Sequence, residues 1–130
     1  MSDKYPDDLR YTKDHEWARV SGNQVTVGIT AFAVEQLGDI TMVDLPKEGE
    51  VLRREQVFGT VESVKAVSDL LSPVSGKVVK VNDPLKDTPE TLNDDAYDEG
   101  WMIVVESSDA KELAALMTAD QYEQYLKEQG

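Results

Sequence analysis

The sequence predicts a mainly β fold that ends in short helices. Between Trp17 and Glu106, apolar and polar residues alternate with a period of two, and Gly, Pro, Asn and Asp interrupt the alternation. After Ser107 the apolar period becomes helical. A chain of 130 residues suits one core. We therefore expect residues 1–130 to form a single domain with a helical segment at about 109–127.

The first elements are a hairpin and a short helix. Residues 24–29 alternate cleanly, and the turn residues 21–23 join them to a strand at 17–20. Thr30 can cap a helix over residues 31–37, and Gly38 can end it in the left-handed region. The next strand is expected from Ile40 to Leu45, because Pro46 then stops the pattern.

Two later segments resemble each other in layout, which indicates a weak internal repeat. Residues 45–62 and residues 75–106 each end in an apolar strand followed by Glu. The second unit carries a polar insertion at 85–100, which we expect to be a surface loop with one helical turn. The short connection 63–68 lies between β-type residues and places Lys65 near a hairpin tip.

The last segment has two helical stretches. Asp109 can cap the first, and Thr118 can start the second. Each has an apolar face, formed by Leu113, Leu116 and Met117 in the first and by Tyr122, Tyr125 and Leu126 in the second. We expect these helices to pack as a lid on the β core.

Charge and composition exclude several classes of function. The chain has 26 acidic and 13 basic residues, a net charge of -13, and this sign disfavours nucleic acid and anionic membranes as partners. The charge suits either basic docking patches on other proteins or simple solubility. Cysteine is absent, which excludes disulfides, thiolate metal sites and a cysteine nucleophile.

The sequence also bears on location. It has no apolar run of membrane-spanning length, and its first residues lack the features of a targeting signal. We expect a cytoplasmic bacterial protein, or a mitochondrial matrix protein whose leader has been removed.

Neither a catalytic set nor a metal site is predicted. His15 is the one histidine, and Ser63, Ser68 and Asp69 make a Ser-His-Asp arrangement only formally possible, because no nucleophile elbow accompanies them. One histidine without cysteine or a calcium-loop motif leaves no metal-ligating pattern. We interpret His15, beside Glu16 at a strand start, as a structural hydrogen-bonding residue.

Lys65 is the residue to which chemistry is most readily assigned. It is bracketed by Val64 and Ala66 at the predicted hairpin tip. Such a lysine is either an ordinary solvated turn residue or an anchor whose exposed amine is acylated to form a long arm.

Short motifs along the chain resemble the H-protein family of the glycine cleavage system, a family of lipoyl carriers. In order, they are residues 11–17 (YTKDHEW), 27–30 (VGIT), 37–39 (LGD), 43–46 (VDLP), 59–66 (GTVESVKA), 72–76 (SPVSG), 81–82 (VN) and 100–102 (GWM). Each motif is weak alone, but their order and spacing favour acylation of Lys65 over a plain turn lysine.

The resemblance implies a fold, a cofactor and partners. The fold is a barrel-sandwich hybrid of two small antiparallel sheets, and Lys65 carries lipoate in amide linkage, attached by a lipoate ligase or lipoyl transferase. The protein is a non-catalytic shuttle for the aminomethyl group of glycine. Its partners are glycine decarboxylase (P protein), aminomethyltransferase (T protein) and dihydrolipoyl dehydrogenase (L protein). We expect a monomer.

The same resemblance places Glu16 and Asp69 near a cleft for the arm, where carboxylates pair with a cationic amine. For both residues a solvated charge remains the alternative. The usual polar stretch after Gly-Ile is replaced by residues 30–33, so Phe32 either offers an apolar wall to the arm or belongs to the core.

Two alternative functions remain open. Biotin attachment at a similar hairpin is disfavoured, because biotin acceptors typically bracket the lysine with methionines, whereas Val64 and Ala66 stand here. A protein of this type that acts as a lipoate donor or binding scaffold, without glycine cleavage partners, fits the same sequence.

Overall fold

Two antiparallel sheets form the framework of the protein. The structure is a computed structural model that describes residues 5–129. The strands are β1 (Arg10–Tyr11), β2 (Glu16–Ser21), β3 (Gln24–Ile29), β4 (Ile40–Asp44), β5 (Val51–Leu52), β6 (Val57–Ser63), β7 (Val67–Leu71), β8 (Gly76–Val81) and β9 (Ile103–Ser107). The larger sheet has the order β1-β2-β3-β9-β8-β5, and the smaller has the order β4-β6-β7.

Short helices fill the connections and close the chain. They are α1 (Ala31–Leu37), α2 (Pro84–Asp87), α3 (Thr91–Asp94), α4 (Ala110–Ala114) and α5 (Ala119–Gln129). The mainly β prediction with C-terminal helices is therefore confirmed. The expectation about a targeting signal concerns a segment whose first four residues lie outside the described part of the chain.

Both sheets contribute to one apolar core. The small sheet supplies Val43, Val61 and Leu70, and the large sheet supplies residues such as Val27 and Val105, each at most 4% exposed. The two predicted repeat units end in β6 and β9. Each of these strands has a neighbour on both sides, β6 in the small sheet and β9 in the large one. The two sheets are unequal, with three and six strands, because the first hairpin and β1 extend only the larger one.

The predicted hairpin and helix are both present, with one correction. The Thr30 hydroxyl accepts a hydrogen bond from the Ala33 amide at 3.2 Å and caps α1. Gly38 ends the helix with φ 82° and ψ -146°. This is outside the left-handed helical region that we expected, in a conformation that is essentially restricted to glycine. A side chain at position 38 would therefore strain the turn from α1 to β4.

The polar insertion is more ordered than the sequence predicted. Residues 85–100 contain most of α2 and all of α3, rather than a loop with one helical turn. Leu85, Leu92 and Ala96 are at most 8% exposed and join the main core. Sparse apolar residues in a polar segment do not form a periodic pattern, so the sequence did not reveal this burial.

The C-terminal segment differs from the prediction at one helix end. Helix α4 stops at Ala114, so Leu116 and Met117 lie beyond it. Met117 instead exchanges two backbone hydrogen bonds with Tyr11, at 2.8 and 2.9 Å. Helix α5 packs against β1 at the edge of the large sheet, with the Tyr122 ring stacked on Tyr11 at a centroid distance of 4.9 Å.

One hydroxyl connects α5 to the start of α1. The Tyr122 Oη lies 2.7 Å from His15 Nδ1 and 2.9 Å from the Thr30 hydroxyl, and Tyr122 and Thr30 are fully buried. The expected structural role of His15 is thus confirmed. Because His15 adopts φ 70°, this contact also helps to hold an uncommon backbone conformation.

We expect Tyr122→Phe to lower the free energy of unfolding by about 1–2 kcal/mol, because His15 and Thr30 both lose a buried partner. Urea denaturation measures the change. Tyr125→Phe removes a hydroxyl at a half-buried position of the same helix and is the matched control. Equal effects of the two substitutions would contradict the role assigned to the Tyr122 hydroxyl.

Candidate functional site

Lys65 lies at the exposed tip of the β6–β7 hairpin, as the sequence predicted. The tip is closed by the Ser63 amide, which donates to the Ala66 carbonyl at 2.8 Å. The Ser63 hydroxyl oxygen accepts hydrogen bonds from the amides of Lys65 and Ala66, at 3.3 and 3.1 Å. The lysine backbone is therefore held by a local side-chain motif while its amine remains in solvent.

The turn between α1 and β4 lies against this tip. The Val64 amide donates to the Asp39 carbonyl at 3.2 Å. A Cβ atom built on Gly38 would lie 3.3 Å from Cε of Lys65, which is tight contact. The absence of a side chain at Gly38 therefore leaves a shallow space along which the lysine side chain runs.

The surface around the tip combines apolar and acidic side chains. Val64 is 72% exposed, Val67 64% and Met42 54%. Met42, Glu62 and Val67 form one cross-strand row on the outer face of the small sheet. Asp44, Thr60 and Asp69 form the next row.

Asp69 is exposed on this outer face, four residues after Lys65. In β7 it lies between Val67 and Leu71, which share its face because side chains alternate along a strand. It is not among the residues that line the cavity beside Glu16.

Glu16 is buried rather than solvated. It is 2% exposed, so the alternative of a solvated strand-end charge is wrong. Its carboxylate accepts a hydrogen bond from the Thr12 hydroxyl at 2.6 Å and a long one from the Leu71 amide at 3.5 Å. The second contact connects β2 of the large sheet to β7, the strand that follows Lys65.

A cavity of about 550 Å³ opens beside Glu16. Its walls come from four separate parts of the chain and include Tyr11, Asp14, Arg54, Leu71, Pro73 and Leu116. The sequence showed no sign of Arg54 and placed Leu116 only on an apolar helix face, because no local motif marks residues that only the fold brings together.

Burial changes the acidity of two groups at this site. Desolvation raises the pKa of Glu16 to about 8; the negative charge of Asp14 adds to the rise, and the hydrogen bonds from Thr12 and Leu71 oppose it. Desolvation lowers the pKa of His15, and Asp14 opposes that shift. At neutral pH Glu16 is therefore largely protonated unless a cation approaches it.

Phe32 lies away from the cavity lining. Its side chain is half-buried against an apolar cluster that includes Tyr11, Trp17 and Tyr122, and its ring centroid is 4.7 Å from that of His15. This packing favours the core interpretation of Phe32. Among residues 5–129 no group of three His, Asp or Glu side chains is arranged to hold a metal ion. In the same part of the chain no helix is long and apolar enough to cross a membrane.

Comparison with known proteins gives consistent matches. A family model described as "Glycine cleavage H-protein" matches residues 9–129. The glycine cleavage system H protein of Anaeromyxobacter sp. (strain K) is 56% identical over 124 residues, covering 95% of this chain and 97% of the relative. The corresponding protein of Brevibacillus brevis is 53% identical over 125 residues, covering 96% of this chain and 99% of the relative.

A solved structure agrees in fold. The crystal structure of a glycine cleavage system H protein from Mycobacterium marinum has a TM-score of 0.85 and 42% sequence identity. It covers 92% of this chain, and this chain covers 96% of it. This likeness confirms the barrel-sandwich hybrid that the sequence led us to expect.

The raised pKa of Glu16 predicts a pH dependence of stability. Between pH 4.5, the ordinary pKa of this carboxyl, and about 8, the unfolded chain has lost the proton that the folded chain keeps. The contribution of Glu16 to stability therefore falls as pH rises through this window and is constant above it. We expect Glu16→Gln to gain stability relative to the unsubstituted protein across the same window, by on the order of a few kcal/mol.

Denaturant unfolding of both proteins at a series of pH values measures this difference. Glu106→Gln, which changes an exposed carboxylate on β9 that does not line this cavity, is the control. A stability difference between the Gln variant and the unsubstituted protein that does not vary from pH 4.5 to 8 would contradict the raised pKa.

Proposed function

Because the chain belongs to the glycine cleavage H-protein family, we propose that it is the lipoyl carrier of the glycine cleavage system, with lipoate bound through an amide to Lys65. The observation that carries the proposal is Lys65 itself, exposed on a hydrogen-bonded hairpin tip. A Cβ on Gly38 would lie 3.3 Å from Cε of Lys65, so glycine at this position leaves room for the lysine side chain.

When bound, lipoate supplies a dithiolane that accepts and releases the aminomethyl group of glycine. The chain itself provides position and protection, while the difficult bonds are made on cofactors of the partner enzymes. We therefore propose a non-catalytic role, with glycine decarboxylase, aminomethyltransferase and dihydrolipoyl dehydrogenase as successive partners. A lipoate ligase or lipoyl transferase is needed to modify Lys65.

Glu16 and Asp69 support a resting place for the cationic end of the arm. Asp69 lies on the outer face of β7 between the tip and Leu71, and the Leu71 amide contacts Glu16. Positions 67 and 71 are roughly 13 Å apart at about 3.3 Å per residue. An ammonium group near Glu16 would lower the pKa of that carboxyl and stabilise its charged form. Phe32 has no such role in this proposal.

The charge of the surface favours basic partners. Glu62, Asp44 and Asp69 surround the exposed apolar residues near Lys65, and the chain carries a net charge of -13. Such a surface increases the encounter rate with positively charged docking sites. The relatives compared above are bacterial, so we propose that the protein works in the bacterial cytoplasm. We propose a monomer because a shuttle must present the same lysine to several enzymes in turn.

We expect Lys65→Arg to fold normally and to lose both lipoate attachment and glycine-dependent decarboxylation, because a guanidinium keeps the charge but does not form this amide. Lys77→Arg, an exposed lysine on β8, is the matched control and should keep both. Decarboxylation retained by the Lys65 variant would overturn the proposal. Lipoate on Lys65 without any glycine-dependent reaction would instead favour a lipoate donor.

A second prediction concerns the arm cleft. We expect Glu16→Gln to leave lipoate attachment unchanged but to shorten the lifetime of the aminomethyl-loaded protein several-fold, because the carboxylate that pairs with the amine is lost. Release of ammonia and formaldehyde from the isolated loaded protein measures this lifetime. Glu106→Gln, an exposed carboxylate on β9, is the control. Equal lifetimes of all three proteins would remove Glu16 from the cleft.

A further inference from the structure

We propose that Asn93 is a positioning residue for Lys65, acting through the turn that joins α1 to β4. Asn93 lies in α3, inside the polar insertion and 28 positions from the lysine in sequence. The inference rests on the proposed function, because it explains how the modified lysine is presented. It assigns a role to a segment that the sequence indicated to be only a surface loop.

The side-chain amide of Asn93 bridges both sides of Asp39. Its Oδ1 accepts a hydrogen bond from the Ile40 amide at 2.9 Å, and its Nδ2 donates to the Gly38 carbonyl at 2.9 Å. One partner is a donor and the other an acceptor, so a primary amide of this length satisfies both at once. The two contacts fix the backbone on either side of Asp39.

The same turn contacts the hairpin tip. The Asp39 carbonyl accepts a hydrogen bond from the Val64 amide at 3.2 Å, and Gly38 lies next to Cε of Lys65. Asn93 is therefore connected to the residue before Lys65 by two consecutive hydrogen-bonded steps.

Helix α3, which carries Asn93, is anchored in the main core. Leu92, the residue before Asn93, is 1% exposed and belongs to the main core. Asn93 itself is exposed, so its substitution removes the bridge without opening a cavity. This separation of positioning from core packing is what makes the proposal testable.

The experiment uses three variants of the full chain. Asn93→Ala removes both hydrogen bonds. Asn93→Asp keeps an acceptor for Ile40 but directs a carboxylate oxygen at the Gly38 carbonyl. Asn82→Ala is the matched control, because Asn82 Nδ2 also donates to two backbone carbonyls of the same insertion region, those of Glu99 at 3.0 Å and Trp101 at 2.7 Å.

Two readouts are measured for each variant. The first is hydrogen exchange of the Val64 amide by NMR, which needs no lipoate. The second is kcat/KM for lipoate attachment by a lipoate ligase with the unmodified protein as substrate. We expect both Asn93 variants to exchange the Val64 amide faster and to be modified roughly three- to ten-fold more slowly, because a mobile tip must be ordered on binding.

The control separates positioning from stability. Asn82→Ala should keep the Val64 exchange rate and the lipoylation rate of the unsubstituted protein, whatever its loss of global stability. Unchanged Val64 exchange in Asn93→Ala, or equal slowing of lipoylation in Asn82→Ala, would overturn the proposal. Failure of the unsubstituted protein to accept lipoate at Lys65 would overturn the proposed function instead, and the exchange rates would still decide the role of Asn93.

Discussion

The presentation of Lys65 depends on the burial of the inner face of its hairpin. Val61 on β6 and Leu70 on β7 are each 1% exposed, and both belong to the core shared with the large sheet. Because side chains alternate along strands, this burial directs Glu62 and Asp69 to the outer face. A shift of one residue in the pairing would expose the apolar pair and displace the tip, so the core determines the register that places Lys65 in solvent.

Local hydrogen bonds then fix the position of the hairpin tip more closely. Within the tip, the Ser63 hydroxyl accepts a hydrogen bond from the Lys65 amide. From the turn between α1 and β4, the Asp39 carbonyl accepts a hydrogen bond from the Val64 amide. The other end of α1 is tied through Thr30 to Tyr122 of α5. The C-terminal helix, which carries none of the proposed chemistry, thus contributes to the position of the helix that leads into Gly38.

The burial of Glu16 is compatible with the role that we propose for it. A carboxyl removed from water with one short and one long hydrogen bond is destabilising when charged, which raises its pKa to about 8. A cationic partner would strongly stabilise the charged form of such a group, whereas solvent hardly reaches it. Its cost in stability is consistent with a site that is completed only when an amine arrives.

Much of the fold could be predicted from the sequence, because period-two strands, the Thr30 cap and the hairpin around Lys65 are local signals. The burial of Glu16 and the ordered insertion could not. Glu16 stands beside His15 at a strand start, and its burial and its contact with the Leu71 amide depend on how distant parts of the chain pack together. The roles of Leu92 and Asn93 likewise depend on contacts between segments that are distant in sequence.

Mass measurement of the intact protein followed by peptide mapping shows whether the hairpin tip carries the lipoyl group. The protein is produced with lipoate and a competent ligase. Its intact mass is measured first, and the masses of its peptides are measured after digestion. We predict the mass increase of a single lipoyl group, confined to the peptide that contains Lys65. An unmodified protein, or a lipoyl group on a different lysine, would contradict the account.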